Sequence, residues 1–493
     1  MLPSVLQVLL AAVVIASPPR PASQVHLALT NAVQNCENGV AVSFASETPH
    51  QYQINYKPIE SAQTLNVTTR PSESYGLSRG RYSYKSPYLH SGFMCNLLPN
   101  TAYQYEIVGG GKSFQFLTPP ATGSDAITVL SVVGDPGDTT DSSATLEMLA
   151  TPYKGMHPHA LIVAGDYSYA NGEHEVWDRW FNLQEVVFGH VPTLGINGNH
   201  ETVVANGHAA PRPKAWDMVG ENYLGYLQRI LTPISNENKA KRRTYYSFDI
   251  GLVHLVFLDD YVGSSGSTWN SVGSKPWLNE RTKQLTWLVQ DLEHVNRTAT
   301  PWVVVIKHNP FYNTWRDHQC QCSKTRFHID DSDRERCWEG RYVSGSSMYE
   351  PHCGLQAKLE PIYAEYGVDV VMTGHVHGYE RTAPIYQNKI NEERGTVYIT
   401  TGAGGNYEGH AGPRIPGPIP EWSRAVNNKV YGASKVIATK DYLEILWFTN
   451  TNSKTPFDSI ILPVRIPTSP FEQSSKKVKR GYYKFRLLGI QEY

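Results

Sequence analysis

The sequence predicts two structural units in series: an all-β segment, then a larger α/β domain whose β-sheet core is flanked by helices. Three observations carry this. The chain has 493 residues, beyond the size at which one hydrophobic core stops growing. Up to about residue 120, short runs alternate apolar and polar residues, with turn residues between them. That is the period of half-buried strands in an antiparallel sandwich. From Ile127 the apolar runs become continuous and β-branched and alternate with helix-like stretches, as strands covered by helices do.

Residues 1–23 read as a cleaved signal peptide, with an apolar run from Val5 to Ala16 followed by Ser17-Pro18-Pro19. The run is too short to span a bilayer comfortably. Residues 24–120 form the sandwich, with strands at Val25–Leu29, Val40–Phe44, Tyr52–Tyr56 and Tyr103–Ile107. The stretch Leu97–Tyr103 resembles the tyrosine corner of fibronectin type III domains, in which a Tyr hydroxyl bonds back to the upstream backbone. Residues 121–124 are a linker. The α/β domain is assigned to 125–467, with strands at Ile127–Val133, Ala160–Ala164 and Trp302–Ile306. Helices are expected near Ser143–Ala150, Glu173–Asn182, Thr282–Asn296 and Gln356–Tyr366. Residues 468–493 are a tail in which Lys476–Arg480 reads as a solvated surface run.

Composition excludes some functions. With 44 Lys+Arg against 45 Asp+Glu, the formal charge is −1, so the basic field of a nucleic-acid binder is missing. No segment after the signal is long and apolar enough for a membrane span. Six cysteines and the sequons Asn66-Val67-Thr68 and Asn296-Arg297-Thr298 suit a secreted or other secretory-pathway glycoprotein, extracellular, vacuolar or lysosomal. Cys36 and Cys95 both lie in the sandwich and are expected to pair. Cys320, Cys322, Cys337 and Cys353 fall in a polar insertion, 318–353, read as a disulfide-stapled loop, with a zinc site as the alternative. Sequence does not choose among the three pairings of these four.

Five apolar runs end alike, in a turn followed by metal-capable residues: Gly134-Asp135-Pro136-Gly137, Gly165-Asp166-Tyr167-Ser168-Tyr169, Gly198-Asn199-His200-Glu201, Lys307-His308-Asn309-Pro310 and Gly374-His375-Val376-His377. Ligands of open α/β sheets bind at the carboxyl ends of the strands, so these turns are able to converge. Asp, His and Asn without Cys suit hard or borderline cations, and a Tyr phenolate favours a trivalent one. Asp135, Tyr169, His377 and a shared Asp166 fit M(III). Asn199, His308, His375 and the same Asp166 fit M(II). Two metals bridged by a carboxylate are a recurring device for phosphate ester hydrolysis. Other groups read differently. His254, mid-strand, is expected to be a satisfied core residue, and His157 and His159 lie in a Pro-containing loop expected at the surface. Asp259-Asp260 also ends a strand, and its reading stays divided between a structural and a substrate-side role.

The five blocks resemble those of the purple acid phosphatases, with a match for each of the family's seven metal ligands: Asp135, Asp166, Tyr169, Asn199, His308, His375 and His377. The N-terminal sandwich, Tyr379-Glu380-Arg381 and Gly402-Ala403-Gly404-Gly405 are similar to the large plant-type members. The resemblance covers roughly residues 24–465. It implies a metallophosphoesterase fold holding Fe(III) plus a divalent ion (Zn, Mn or Fe(II)). It implies an acid phosphatase that hydrolyses small phosphate monoesters through metal-activated hydroxide, with His200 and His318 as the proton-donating catalytic residues. Where plant-type members carry two consecutive histidines, this chain has Asp317 then His318. An ionised Asp317 is expected to raise the pKa of His318. The alternatives are a phosphodiesterase or nucleotide pyrophosphatase of the same fold, or a non-catalytic phosphate-binding protein. A homodimer is among the expectations for assembly.

Overall fold

The computed structural model describes residues 22–79, 82–202, 221–264, 273–319, 322–323, 326–327, 329, 331–341 and 352–465. Residues 1–21 of the predicted signal peptide, the C-terminal tail, Cys320 and part of the insertion lie outside the described residues, while Ser23, at the predicted end of that peptide, already belongs to the first strand.

The strands in chain order are β1 (Ser23–Thr30), β2 (Gly39–Ser46), β3 (Gln53–Pro58), β4 (Leu65–Thr68), β5 (Gly76–Arg79), β6 (Tyr82–Lys85), β7 (Tyr88–Met94), β8 (Ala102–Ile107), β9 (Lys112–Leu117), β10 (Thr128–Val133), β11 (Ala160–Ala164) and β12 (Thr193–Ile196). They continue with β13 (Tyr246–Ile250), β14 (Val253–Phe257), β15 (Trp302–Ile306), β16 (Val370–Thr373), β17 (Tyr379–Thr382), β18 (Ile385–Tyr386), β19 (Lys389–Ile390), β20 (Val397–Thr401), β21 (Ser423–Asn427), β22 (Gly432–Ala438), β23 (Tyr442–Thr449) and β24 (Asp458–Pro463). Two large mixed sheets face each other. One has the order β13-β14-β15-β16-β20-β17-β21, and the other β24-β23-β22-β10-β11-β12-β1-β2-β7. At their centres β14-β15-β16-β20 and β10-β11-β12 run parallel.

Alternation along each strand builds the layers. Leu130, Val132, Ile162, Ile196, Leu255, Phe257, Val304, Ile306, Met372 and Ile399 fill the space between the sheets. Val133, Leu161 and Val163 point the other way, onto the helices Thr140–Ala150 and Glu175–Phe188. Val256, Val303, Val305 and Val371 meet the helices Lys275–His294 and His352–Tyr366. The helix near Ser143 starts earlier than expected because Thr139 caps it, its hydroxyl accepting from Ser142 N. The long helix likewise begins after Ser274, with a proline in its first turn, a favoured start signal.

The N-terminal strands pack as a second sheet, β4-β3-β8-β9, against β1-β2-β7. The Tyr103 corner is formed: its hydroxyl accepts from Leu98 N at 3.0 Å. Cys36 and Cys95 are bonded, and Cys322 pairs with Cys337. Sequence did not foresee that β1 joins the larger sheet. It pairs in parallel with β12 through Ala28 and Thr193, and Thr193 Oγ1 donates to Leu27 O. Arg229 adds to the joint by donating to Gln24, Tyr75, Tyr84 and Asp178.

The expectation for His159 fails. It is 5% exposed, and its Nδ1 accepts from Val129 N at 3.0 Å. The Val129 amide, near the start of β10, finds its acceptor there, and burial pushes the imidazole down to about 4. His254 is satisfied, between Asp249 at 2.6 Å and Asp291 at 2.9 Å.

Candidate metal centre

All five turns meet in one nest at the carboxyl ends of β10, β11, β12, β15 and β16. Four of the seven side chains are aimed by a strained backbone. Asp135 (φ 59°), Asp166 (55°), Tyr169 (56°) and His375 (67°) all adopt the left-handed conformation, which non-glycine residues rarely do. The flanking glycines make room for residues of other turns. A Cβ on Gly165 would lie 2.4 Å from His308 Nδ1, and one on Gly198 would lie 2.1 Å from Asp166 Oδ1.

The donors fall into two groups. Tyr169 Oη is 3.0 Å from Asp135 Oδ1 and 2.8 Å from His377 Nε2. Asn199 Oδ1 is 3.0 Å from both His308 Nε2 and His375 Nδ1. Asp166 Oδ2 stands 3.1 Å from His308 Nε2. Ligand atoms of Asp166, His308 and His375 all lie within 4.8 Å of one another. His308 Nδ1 donates to Ala164 O at 2.8 Å, which turns Nε2 inward.

The electrostatics of the nest favour a bound metal. Asp135, Asp166 and Tyr169 are at most 2% exposed, and among the described residues the ion-pair partners of the two carboxylates are histidines. Burial, then the Asp135 and Asp166 carboxylates, push the Tyr169 phenol well above its ordinary value of 10. A phenolate there needs a cation beside it. Burial works to lower the His308 imidazole, but the Asp166 carboxylate overrides it and lifts it to about 10. Buried anions paired with imidazoles, with amide and phenol oxygens converging on them, are the donor set of hard and borderline cations.

A supporting layer lies beneath. Glu201, 1% exposed, accepts from Asp166 N, Tyr167 N and Gly198 N at 2.9, 2.9 and 2.8 Å, locking two turns together. Asp260 accepts from His308 N and Asn309 N and pairs with Lys307 at 2.9 Å. Asp259 accepts from Asn197 and Tyr223. Both aspartates are fully buried structural groups. Asn406, in the loop after Gly402–Gly405, donates to Asp135 O. Glu201 was visible in its motif but carried no assigned role. Asn406 had no signal that a single sequence could supply.

His200 lies beside the nest. Its backbone N donates to Asp166 Oδ1 at 2.9 Å, and its ring stands 4.1 Å from that of Tyr169. His318, on a short turn at Arg316–His318, places its ring 5.1 Å from that of His375. Asp317 precedes His318 on that turn. It is exposed and forked onto Arg316 at 2.9 and 3.2 Å, and that guanidinium holds its carboxyl below the usual range.

Such a nest between two facing sheets defines a metallophosphoesterase, and the chain belongs to the calcineurin-like phosphoesterase family, whose model matches residues 129–379. Its branch within that family is the purple acid phosphatases: the model for the iron/zinc purple acid phosphatase-like C-terminal region matches residues 395–459. The chain is 28% identical to purple acid phosphatase 18 of Arabidopsis thaliana, over 77% of this chain and 76% of that one. It is 32% identical to purple acid phosphatase 21 of the same plant, over 67% and 61%. It is 28% identical to Fe(3+)-Zn(2+) purple acid phosphatase 12, also of Arabidopsis thaliana, over 80% and 74%. The purple acid phosphatase PPD1 of yellow lupin seeds superimposes with a TM-score of 0.64 at 20% identity, over 91% of this chain and 77% of that one. PhoD gives 0.57 at 12%, over 95% and 99%. These two likenesses concern the fold.

Proposed function

We propose that the chain hydrolyses phosphate monoesters at a two-metal centre. Asp135, Tyr169 and His377 hold one ion, Asn199, His308 and His375 hold the other, and Asp166 lies between them. One observation carries the assignment: the donors split into two clusters, one around Tyr169 Oη and one around Asn199 Oδ1, with Asp166 bonded to the second and His200 N fixed on its other oxygen. The phenol-bearing cluster suits Fe(III), and the neutral one suits Zn, Mn or Fe(II). The family and the Fe(3+)-Zn(2+) relative support this pairing. Such ions supply Lewis-acid polarisation of the phosphoryl group and an activated water.

The protein's own residues do the rest. Glu201 and Asp260 fix the turns, so the donors need no reorganisation. His200 hands a proton to the departing alkoxide. His318, across the nest beside His375, contacts the substrate phosphate and is the second donor. Residues 24–120 are a fibronectin type III-like module, and 125–467 are the catalytic domain. Bonded cysteines and exposed sequon residues Asn66 and Asn296 support a secreted glycoprotein. The test is metal analysis with turnover of a monoester and a diester at mildly acidic pH. About two metal ions per chain and a preference for the monoester are expected. A preference for the diester would overturn the substrate class.

A further inference from the structure

We infer that Asn171 is the positioning residue for His200, fixing which ring nitrogen faces the substrate. The inference rests on the reading of His200 as proton donor. Asn171 lies two residues after Tyr169, in the left-handed conformation (φ 51°), followed by Gly172 at 91°. Asn tolerates this conformation better than most residues. The turn brings the Asn171 side chain across to the imidazole of the neighbouring block. Its Oδ1 meets His200 Nδ1, and its Nδ2 donates to the Tyr407 hydroxyl at 2.9 Å.

The chemistry of the amide decides the roles. In the structure its nitrogen donates to Tyr407 and its oxygen faces the imidazole. An amide oxygen only accepts, so His200 Nδ1 must carry a proton whatever the charge of the ring. The nitrogen left for proton exchange is Nε2. It points past Asp166 Oδ2 at 3.9 Å and Glu408 Oε1 at 3.8 Å. The ring is clamped on its other sides, by the Tyr169 face at 4.1 Å and by the His200 N to Asp166 bond. Tyr407 packs edge-on to Tyr169 at 5.6 Å, so the same aromatic pair braces the amide and the imidazole. Asn rather than Asp at 171 orients the imidazole without adding another carboxylate to Asp135, Asp166 and Glu408.

The experiment is a double-mutant cycle on the metal-loaded enzyme, with an alkyl phosphate and an activated aryl phosphate. Asn171→Ala is expected to lower kcat on the alkyl ester by about 10-fold while KM changes by less than about twofold. Metal content stays at the wild-type level. Asn171→Gly suits the left-handed backbone and guards against a variant that fails to fold for backbone reasons. Asn171→Asp restores an acceptor oxygen and recovers most of the rate. On a His200→Ala background, Asn171→Ala costs nothing further, because both act through one imidazole. Multiplicative losses in the double variant, metal loss from Asn171→Ala or an unaffected alkyl ester would each overturn the inference alone. Wild-type turnover by His200→Ala would overturn the reading of His200, and the inference with it.

Discussion

The phenolic oxygen of Tyr169 lies 3.0 Å from Oδ1 of Asp135, although the two residues belong to different turns and both take left-handed backbones. Two acids held this close, with the His377 imidazole beside them, are stable as anions when they share a cation. The purified protein is therefore expected to carry a visible charge-transfer band from phenolate on Fe(III). Tyr169→Phe should bleach it. A colourless wild-type protein with full metal content would remove Tyr169 from the ligand set.

His200→Ala is expected to lower kcat at mildly acidic pH by about 10²–10⁴ while both metals are retained. His318→Ala should weaken alkyl phosphates more than activated aryl phosphates, since the latter need little proton donation. Metal analysis and a leaving-group series check both. Loss of metal from His200→Ala would show that the ligand set is misassigned.

Glu201→Ala strands three buried amides, those of Asp166, Tyr167 and Gly198. Each orphaned donor costs about 1–3 kcal/mol, so a loss of several kcal/mol in unfolding free energy is expected, with Glu201→Gln milder. Urea denaturation followed by fluorescence reads this. An unchanged midpoint would mean that water replaces the carboxylate.

His254 gives a pH signature away from the centre. Burial works to lower its imidazole, but hydrogen bonds to Asp249 and Asp291 override it and lift the group to about 9. The folded value exceeds the unfolded one of about 6.5, so the contribution is fully present below that pH and fades as pH rises through about 9. His254→Gln should cost about 2–3 kcal/mol near pH 6 and much less near pH 10. An equal cost at both pH values would mean that His254 acts by packing alone.

The metal turns were legible because their signal is local: a β-branched run, a glycine, then a donor, repeated five times. Strand-to-helix alternation was legible for the same reason. What escaped was set by contacts between distant segments. Nothing near His159 announces that Val129 N lacks an acceptor. Asn171 gains its meaning only when its turn meets that of His200, and Ala28 only when β1 arrives beside β12.

The pairing of β1 with β12 has a consequence for how the molecule is divided. Beyond β12 the catalytic sheet continues only through the N-terminal strands. Without them, β12 would become a bare rim, offering unpaired amides and carbonyls beside the apolar Leu194 and Ile196. Such a rim recruits strands from other molecules. A fragment beginning at residue 125 would keep every metal-binding turn yet lack this guard, and self-association is its expected fate. The amino-terminal sandwich is then less an appendage to the enzyme than the selvedge that keeps its sheet from fraying.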